Sequence, residues 1–343
     1  MSKSKKTIGL CLVMFFSCVG SSFAGDTKVS GFLRAGGALN LGDDLYLERI
    51  DKNGNTGDTH FGVNIASDIT DNMSVAGQLW ASGAEGGAFE MVLDWAYASW
   101  NIGSGLNLNG GKIKYPNLLV SDTIDIGISY PWIRPPQELY TFDAEGGPNM
   151  SLESFVGGSA VYTGFAGDLE YSVNAYLGES YLEGGNGTLS KMMGAAFDLG
   201  TDAFKLKLGY NMHMPEGVAG DLGPSEINSN NVSTLSFGAK INMAGALIMS
   251  EYAASSAADV AESDIKALYA TLGYSIGSMM PHFTYASRDA EESNTSMTFG
   301  LKYQINPGAT LKFDFTQVSP VAEEGMEAEE AFSVISAAMD VVF

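Results

Sequence analysis

The sequence predicts an all-β fold: a transmembrane antiparallel up-and-down β-barrel of about sixteen strands, with short periplasmic turns and long external loops. Two observations carry this. From about Lys28 to Phe343 the chain is a succession of strand-length segments, several alternating apolar and polar residues with period two. The connections alternate too, a tight turn and then a long polar loop. In a membrane barrel one set of connections stays near the membrane edge while the other reaches into the medium. A soluble sandwich has no reason to sort its loops this way.

In chain order the segments fall near 28–39, 58–68, 73–82, 90–101, 106–114, 154–164, 169–180, 190–199, 203–214, 231–242, 246–255, 264–276, 279–288, 295–305, 309–318 and 332–343. Turn chemistry separates the pairs: Asp71-Asn72, Gly103-Ser104-Gly105, Gly167-Asp168, Gly200-Thr201-Asp202, Ala244-Gly245, Gly277-Ser278 and Asn306-Pro307-Gly308. Alternation is cleanest at 203–214, where Phe204, Leu206, Leu208, Tyr210, Met212 and Met214 oppose Lys205, Lys207, Gly209, Asn211 and His213. It recurs at 169–177 and 296–305, whereas the regions 83–89 and 245–256 are the least regular. An apolar outside and a polar inside is the lipid-facing barrel pattern. Closing the sheet satisfies every backbone amide without leaving an edge, and about sixteen strands enclose an aqueous lumen too wide for side chains to fill. Tyr97, Trp100, Tyr210, Tyr252, Tyr274 and Tyr303 lie near strand ends, where interface aromatics belong.

Residues 1–24 look like a removable leader: Lys3, Lys5 and Lys6, an apolar run over 8–19, then Ser22-Phe23-Ala24 as a cleavage box. The barrel domain is then 25–343. Both cysteines, Cys11 and Cys18, fall in the leader, so no disulfide is expected in the mature chain. The formal charge is −22, which excludes nucleic acid as a natural partner because phosphate binding needs a basic footprint.

Catalytic readings find little support. His60, His213 and His282 fall on separate strands, with no spacing that pairs a nucleophile with a base. No enzyme activity and no cofactor are expected. Asp51-Lys52-Asn53-Gly54-Asn55-Thr56-Gly57-Asp58 places oxygen ligands at alternate positions as a calcium loop does, but lacks that motif's sixth-place Gly and closing Glu. A polar turn fits it better.

Two stretches resemble a known family. Phe332–Phe343 places Ile335, Ala337, Met339, Val341 and Phe343 on one face and ends on the aromatic, like the closing strand of bacterial outer-membrane proteins. Gly111-Lys112-Ile113-Lys114-Tyr115-Pro116, followed by Tyr130-Pro131-Trp132-Ile133-Arg134-Pro135-Pro136-Gln137-Glu138-Leu139-Tyr140, resembles the approach to the third loop of Gram-negative porins. General porins often carry Pro-Glu-Phe-Gly-Gly at that loop's tip, where this chain has Phe142-Asp143-Ala144-Glu145-Gly146-Gly147. The resemblance implies an outer-membrane homotrimer that lets small hydrophilic solutes and ions diffuse through a water-filled pore. It also implies outer-membrane lipid around the barrel, a third loop (115–152) folded into the lumen, and a terminal Phe343 read by the barrel-insertion machinery. A channel selective for one anion or sugar, or a plugged surface-structural or adhesin barrel, are the alternatives.

On that reading Asp122, Asp125, Arg134, Glu138, Asp143 and Glu145 line the constriction from the loop. Arg34, Lys112, Lys114, Lys205, Lys207, Lys240, Lys302 and Lys312 line the pore wall. Opposite signs across a narrow aqueous gap orient dipolar solutes. Acidic loops gather cations at the mouth and a basic wall favours anions deeper in, so selectivity stays open, with a slight lean toward anions.

Overall fold

Segments that alternate apolar and polar residues have one face for lipid and one for water, and they can satisfy their backbones only by pairing with one another. The computed structural model describes residues 26–343 apart from 44, 48, 84–88, 141–152, 183–186, 221–222, 225–227, 261–262, 291–292 and 322–329. The leader expected over 1–24 lies outside the described residues.

The strands are β1 (Thr27–Asn40), β2 (His60–Thr70), β3 (Met73–Ser82), β4 (Met91–Gly103), β5 (Leu106–Lys114), β6 (Ser154–Ala166), β7 (Leu169–Tyr181), β8 (Thr188–Gly200) and β9 (Phe204–Glu216). After a two-rung loop hairpin, β10 (Ala219–Gly220) and β11 (Gly223–Pro224), come β12 (Val232–Met243), β13 (Ala246–Ala257), β14 (Ile265–Tyr274), β15 (Met279–Asp289), β16 (Asn294–Asn306), β17 (Ala309–Pro320) and β18 (Phe332–Val342). Leaving out that hairpin, each strand pairs antiparallel with its sequence neighbour, β9 pairs with β12, and β1 pairs with β18 to close a sixteen-strand barrel. The expected segments match these strands to within two residues at nearly every end.

The seam runs in register from Phe32↔Val342 to Asn40↔Val334. Beyond it, Gly31 N donates to Phe343 O at 2.8 Å and Phe343 N to Gly31 O at 3.0 Å. A Cβ on Gly31 would lie 2.7 Å from the Phe343 ring, so the terminal aromatic packs directly over bare backbone.

The alternation sorts as expected. Leu208 and Tyr210 of β9 are exposed on the outer face, while Lys207, Asn211 and His213 are buried inside. Trp100, Tyr210, Tyr252, Tyr274 and Tyr303 are likewise exposed. Tyr97 is the exception: it turns inward, stacking beside Trp95 at 5.6 Å and packing against buried Tyr115, Phe155 and Tyr176.

A bulge in β4 reorganises this part of the wall. Gln78 pairs with Trp95 but Leu79 with Leu93, so Asp94 is the extra residue. It turns inward, accepting from Gln78 Nε2 at 2.6 Å. On the neighbouring strand Gly111 has φ +140°, and a Cβ there would fall on Ala96 O and within 2.8 Å of Tyr97 Cα. Lys112, expected on the pore wall, instead sits on the outer face opposite exposed Val156. Its Nζ donates to Leu93 O at 2.9 Å, which satisfies a carbonyl beside the bulge.

The irregular 245–256 region also has a cause. On β13–β15 the inner face is apolar as well: Leu247, Met249, Ala253, Ala267, Tyr269 and Ala286 are buried inside the barrel in one cluster. With both faces apolar, period two fades.

Gly111→Val should lower folded-barrel stability by roughly 2–4 kcal/mol, through a strained φ and a backbone clash. The urea midpoint of the heat-modifiable folded band measures it.

Candidate functional site

Residues 115–140 leave β5 and enter the barrel. They carry two short 3-10 turns, η1 (Ser121–Thr123) and η2 (Gly127–Ser129), and one helical turn, α1 (Gln137–Tyr140). Irregular backbone at membrane depth survives only where protein or an aqueous cavity satisfies it, and here the wall does so. Asn117 O accepts from Ser236 Oγ of β12 at 2.9 Å and Asn117 Oδ1 from Tyr176 of β7 at 2.9 Å. Leu119 N donates to Glu251 Oε1 of β13 at 2.6 Å.

The loop then crosses the lumen. Six residues after Leu119, Asp125 accepts from Gln78 Nε2 of β3 at 3.0 Å and from Lys114 Nζ of β5 at 2.7 Å. In the ring of sixteen, β3 lies diametrically opposite β13. The segment is coiled into η1 on the way, with Thr123 N donating to Val120 O at 2.9 Å, and the long side chains of Glu251, Gln78 and Lys114 reach in from the wall to meet it. It returns past β1, β18 and β17 to β14 and β15, where Trp132 Nε1 donates to Thr271 Oγ1 at 3.2 Å and Thr284 Oγ1 at 2.7 Å.

The wall cations hold this return path by its carbonyls. Lys312 Nζ donates to Gly127 O at 2.6 Å and Trp132 O at 2.5 Å. Lys302 Nζ donates to Ile128 O at 2.6 Å. Arg34 donates to Ile133 O and pairs with Asp340 at 2.6 Å, which also faces Lys312 Nζ at 3.1 Å. Tyr130 lies against both cations, with Lys312 Nζ 4.6 Å and Arg34 Cζ 5.8 Å from its ring centroid. A Cβ on Gly127 would collide with the Arg34 guanidinium and the Asp340 carboxylate, so only glycine lets the loop come this close. Ile133 N donates to Asp314 Oδ2 at 2.7 Å, and Arg134 binds Asp58 and Ser336.

Apolar packing supplies the rest. Leu118, Leu119, Val120, Trp132, Leu139 and Tyr140 are buried against the inner face of β13–β15, each large side chain contributing about 1.5–3 kcal/mol. Between Tyr115 and Tyr140 only Asp122 is exposed.

The expected site residues therefore divide. Asp122 does face open lumen. Asp125 and Glu138 are buried under the loop, and Arg134 ties it to Asp58 and Ser336. Asp143 and Glu145 lie outside the described residues. On the wall, Arg34, Lys114, Lys302 and Lys312 anchor the loop rather than face solution. Lys207 is buried between Asp198 at 3.2 Å and Asp122 at 3.8 Å. Lys205 pairs with Asp198 at 2.9 Å and keeps 39% of its side-chain exposure. Lys240 is half-buried. The calcium-like stretch is a set of side-chain-closed turns: Asp51 accepts from Asn53 N at 2.8 Å, and Asp58 is taken by Arg134 and Arg49.

Glu251, Tyr269 and Asp340 carry no local signal of a role at the site, and Asp58, the end of the calcium-like stretch, binds Arg134 of the loop instead. A signal did exist in Leu118-Leu119-Val120 and Trp132-Ile133, apolar stretches that a solvated loop would not carry.

Solved structures share this architecture. An anion-selective porin from Comamonas acidovorans superposes with TM-score 0.64 at 12% identity, over 93% of this chain and 99% of that one. OmpF of Salmonella typhi, solved in complex with daunomycin, gives TM-score 0.65 at 13% identity, over 92% and 97%. An in-vitro folded trimer form of OmpT from Vibrio cholerae gives 0.57 at 14%, over 93% and 100%. The chain has the porin fold. No protein-family model matches the sequence, and no curated protein matches it.

Two loop acids respond oppositely to burial. Burial opposes ionisation of Asp125, yet Lys114, His60 and Gln78 outweigh it and hold that carboxyl below its ordinary range. At Glu138 burial wins instead. Burial raises it above the usual glutamate value despite Ser296 and Arg288, and its Oε2 has no hydrogen-bond partner. Because Glu138 titrates higher in the docked loop than in a free chain, docking is strongest below the ordinary value of 4.5 and weakens as pH rises through the raised one. Wild-type Tm should thus fall more than that of Glu138→Gln as pH rises above the ordinary value of 4.5, measured by thermal scans in detergent. Lys312→Met, which strands two carbonyls and a carboxylate, should cost loop docking about 3–5 kcal/mol. Protease cleavage within 115–140 and noisier open-channel current would report it.

Proposed function

We propose that this protein is an outer-membrane porin of a Gram-negative bacterium, passing small hydrophilic solutes and ions by passive diffusion. The observation that carries the reading is a closed sixteen-strand sheet with an apolar exterior and a polar interior divided by its own third loop. Sheet closure removes every edge, and the outward Leu, Phe and Tyr side chains suit hydrocarbon. The interior keeps Asn107, Asn109, Ser159, Asn174, Asp198 and Lys205 on β5–β9, beside the exposed Asp122.

Solutes pass on this side. The loop packs tightly against β13–β18 and β1, and its start at Tyr115 and Asn117 against β5–β8, so the aqueous route lies between its exposed edge at Asp122 and the short-turn half of the β5–β9 wall. Such a lane is narrower than an unobstructed barrel and lined by charges of both signs, which orient dipolar solutes. The trimer form of the similar OmpT supports a homotrimer here. Export with removal of residues 1–24, and reading of Phe343 by the insertion machinery, complete the proposed route to the membrane.

The extent of loop burial favours one competitor, a barrel plugged at rest. Purified folded oligomer in a planar bilayer decides between them. Steady conductance in three equal steps is expected. Folded protein that carries no current would remove the diffusion reading and leave the plugged surface barrel.

A further inference from the structure

Two pairs of lysines stand directly opposite each other on the inner wall. Lys302 pairs in register with Lys312 across β16 and β17; Lys205 pairs with Lys240 across β9 and β12. Like charges directly opposite in a sheet repel and are destabilising, so each pair needs compensation.

The first pair has it. Lys302 and Lys312 donate to loop carbonyls of Gly127, Ile128 and Trp132, and Lys312 faces Asp340. The second pair does not. Asp198 answers Lys205, but it also serves Lys207, whose other acid, Asp122, stands 3.8 Å away. Of the eight cations expected on the wall, Lys240 alone makes no hydrogen bond or ion pair among the described residues.

The position suits a ligand. Lys205 lies one residue inside the start of β9 and Lys240 three residues before the end of β12, both beside tight turns. This is the short-turn mouth of the barrel, where the lumen meets solution. Three ammonium groups, Lys205, Lys207 and Lys240, face the carboxylates of Asp198 and Asp122, with exposed Glu170 in the same row as Lys205 across Gly200, so the site is set by the opposed Lys205–Lys240 pair and not by a net charge.

We propose that Lys205 and Lys240 form a transit site for small anions, carboxylates and phosphates, at the short-turn end of the lumen. The inference rests on the diffusion reading and names its favoured solute class. An anion between the two ammonium groups supplies the oxygen acceptors that loop carbonyls supply to the Lys302–Lys312 pair. Binding is weak because the site is open to water on one side, which permits onward release.

The test is reversal potential under a salt gradient, with inorganic phosphate added as a competitor of chloride current. Wild-type channels should favour chloride over potassium and lose chloride current as phosphate rises. Lys240→Gln should lower anion permeability about fivefold, the effect of one unit charge at about 4 Å in water, with the anion-to-cation ratio falling at least as much, and weaken phosphate block. Lys240→Arg should restore both. Lys112→Gln, on the outer face, should change neither. Removing one lysine of a repelling pair relieves strain, so Lys240→Gln is expected to fold, which heat-modifiable gel mobility checks. Open Lys240→Gln channels with wild-type selectivity and wild-type phosphate block would overturn the site while leaving the diffusion reading intact. Folded wild-type protein without current overturns both, and the two failures are thereby told apart.

Discussion

The structure depends on one constraint: a long irregular segment sits inside a membrane barrel, and its backbone groups must find partners there. Nothing in the hydrocarbon can supply them. The barrel wall therefore presents donors and acceptors at fixed heights, ammonium and guanidinium groups for carbonyls, and Asp314 and Glu251 for amides. Charge-assisted hydrogen bonds of this kind contribute about 1.5–3 kcal/mol each. Lysines inside a barrel lumen suggest selectivity at first sight. Here several serve architecture.

This arrangement couples loop and barrel in both directions. Arg34, Lys312 and Asp340 come from β1, β17 and β18, the strands at the seam. The loop carbonyls they bind thus brace the place where the sheet closes on itself. Glu251 does the same opposite, gathering Leu119 N, Tyr140 Oη and Tyr269 Oη into one buried carboxylate cluster. A barrel with this loop removed would leave those charges buried and unpaired, a far costlier state than the intact network.

Dividing the lumen also divides the labour of its charges. On the β13–β18 side they are neutralised against protein and hidden. On the β8–β12 side Asp198, Lys205, Lys240 and Asp122 remain in contact with solution. Among the described residues, charges open to solution set the field in the lumen, because fields from buried pairs are already compensated and water screens beyond roughly 8–10 Å. Counting all wall lysines as selectivity elements would overstate the basic character of the route several-fold.

By itself the sequence determined the class, the strand number and nearly every strand boundary, because period two and turn chemistry are local properties of a pleated backbone. It also marked the third loop, through length and position, and the inward faces of Lys205, Lys207 and Lys240. Tertiary structure decided the rest. Lys112 lies outside with Leu106, Leu108 and Gly110, the face its even spacing gives it, whereas Lys114 reaches inward at the strand end because Asp94 of the bulge and Asp125 of the loop meet it there. Arg34, Lys302 and Lys312 became anchors only when a loop from elsewhere in the chain laid its carbonyls beside them. Glu251 and Asp340 acquired roles through contacts more than a hundred residues away in sequence. Local pattern fixes which side of the wall a residue faces; what waits for it inside is set by the path of a distant segment.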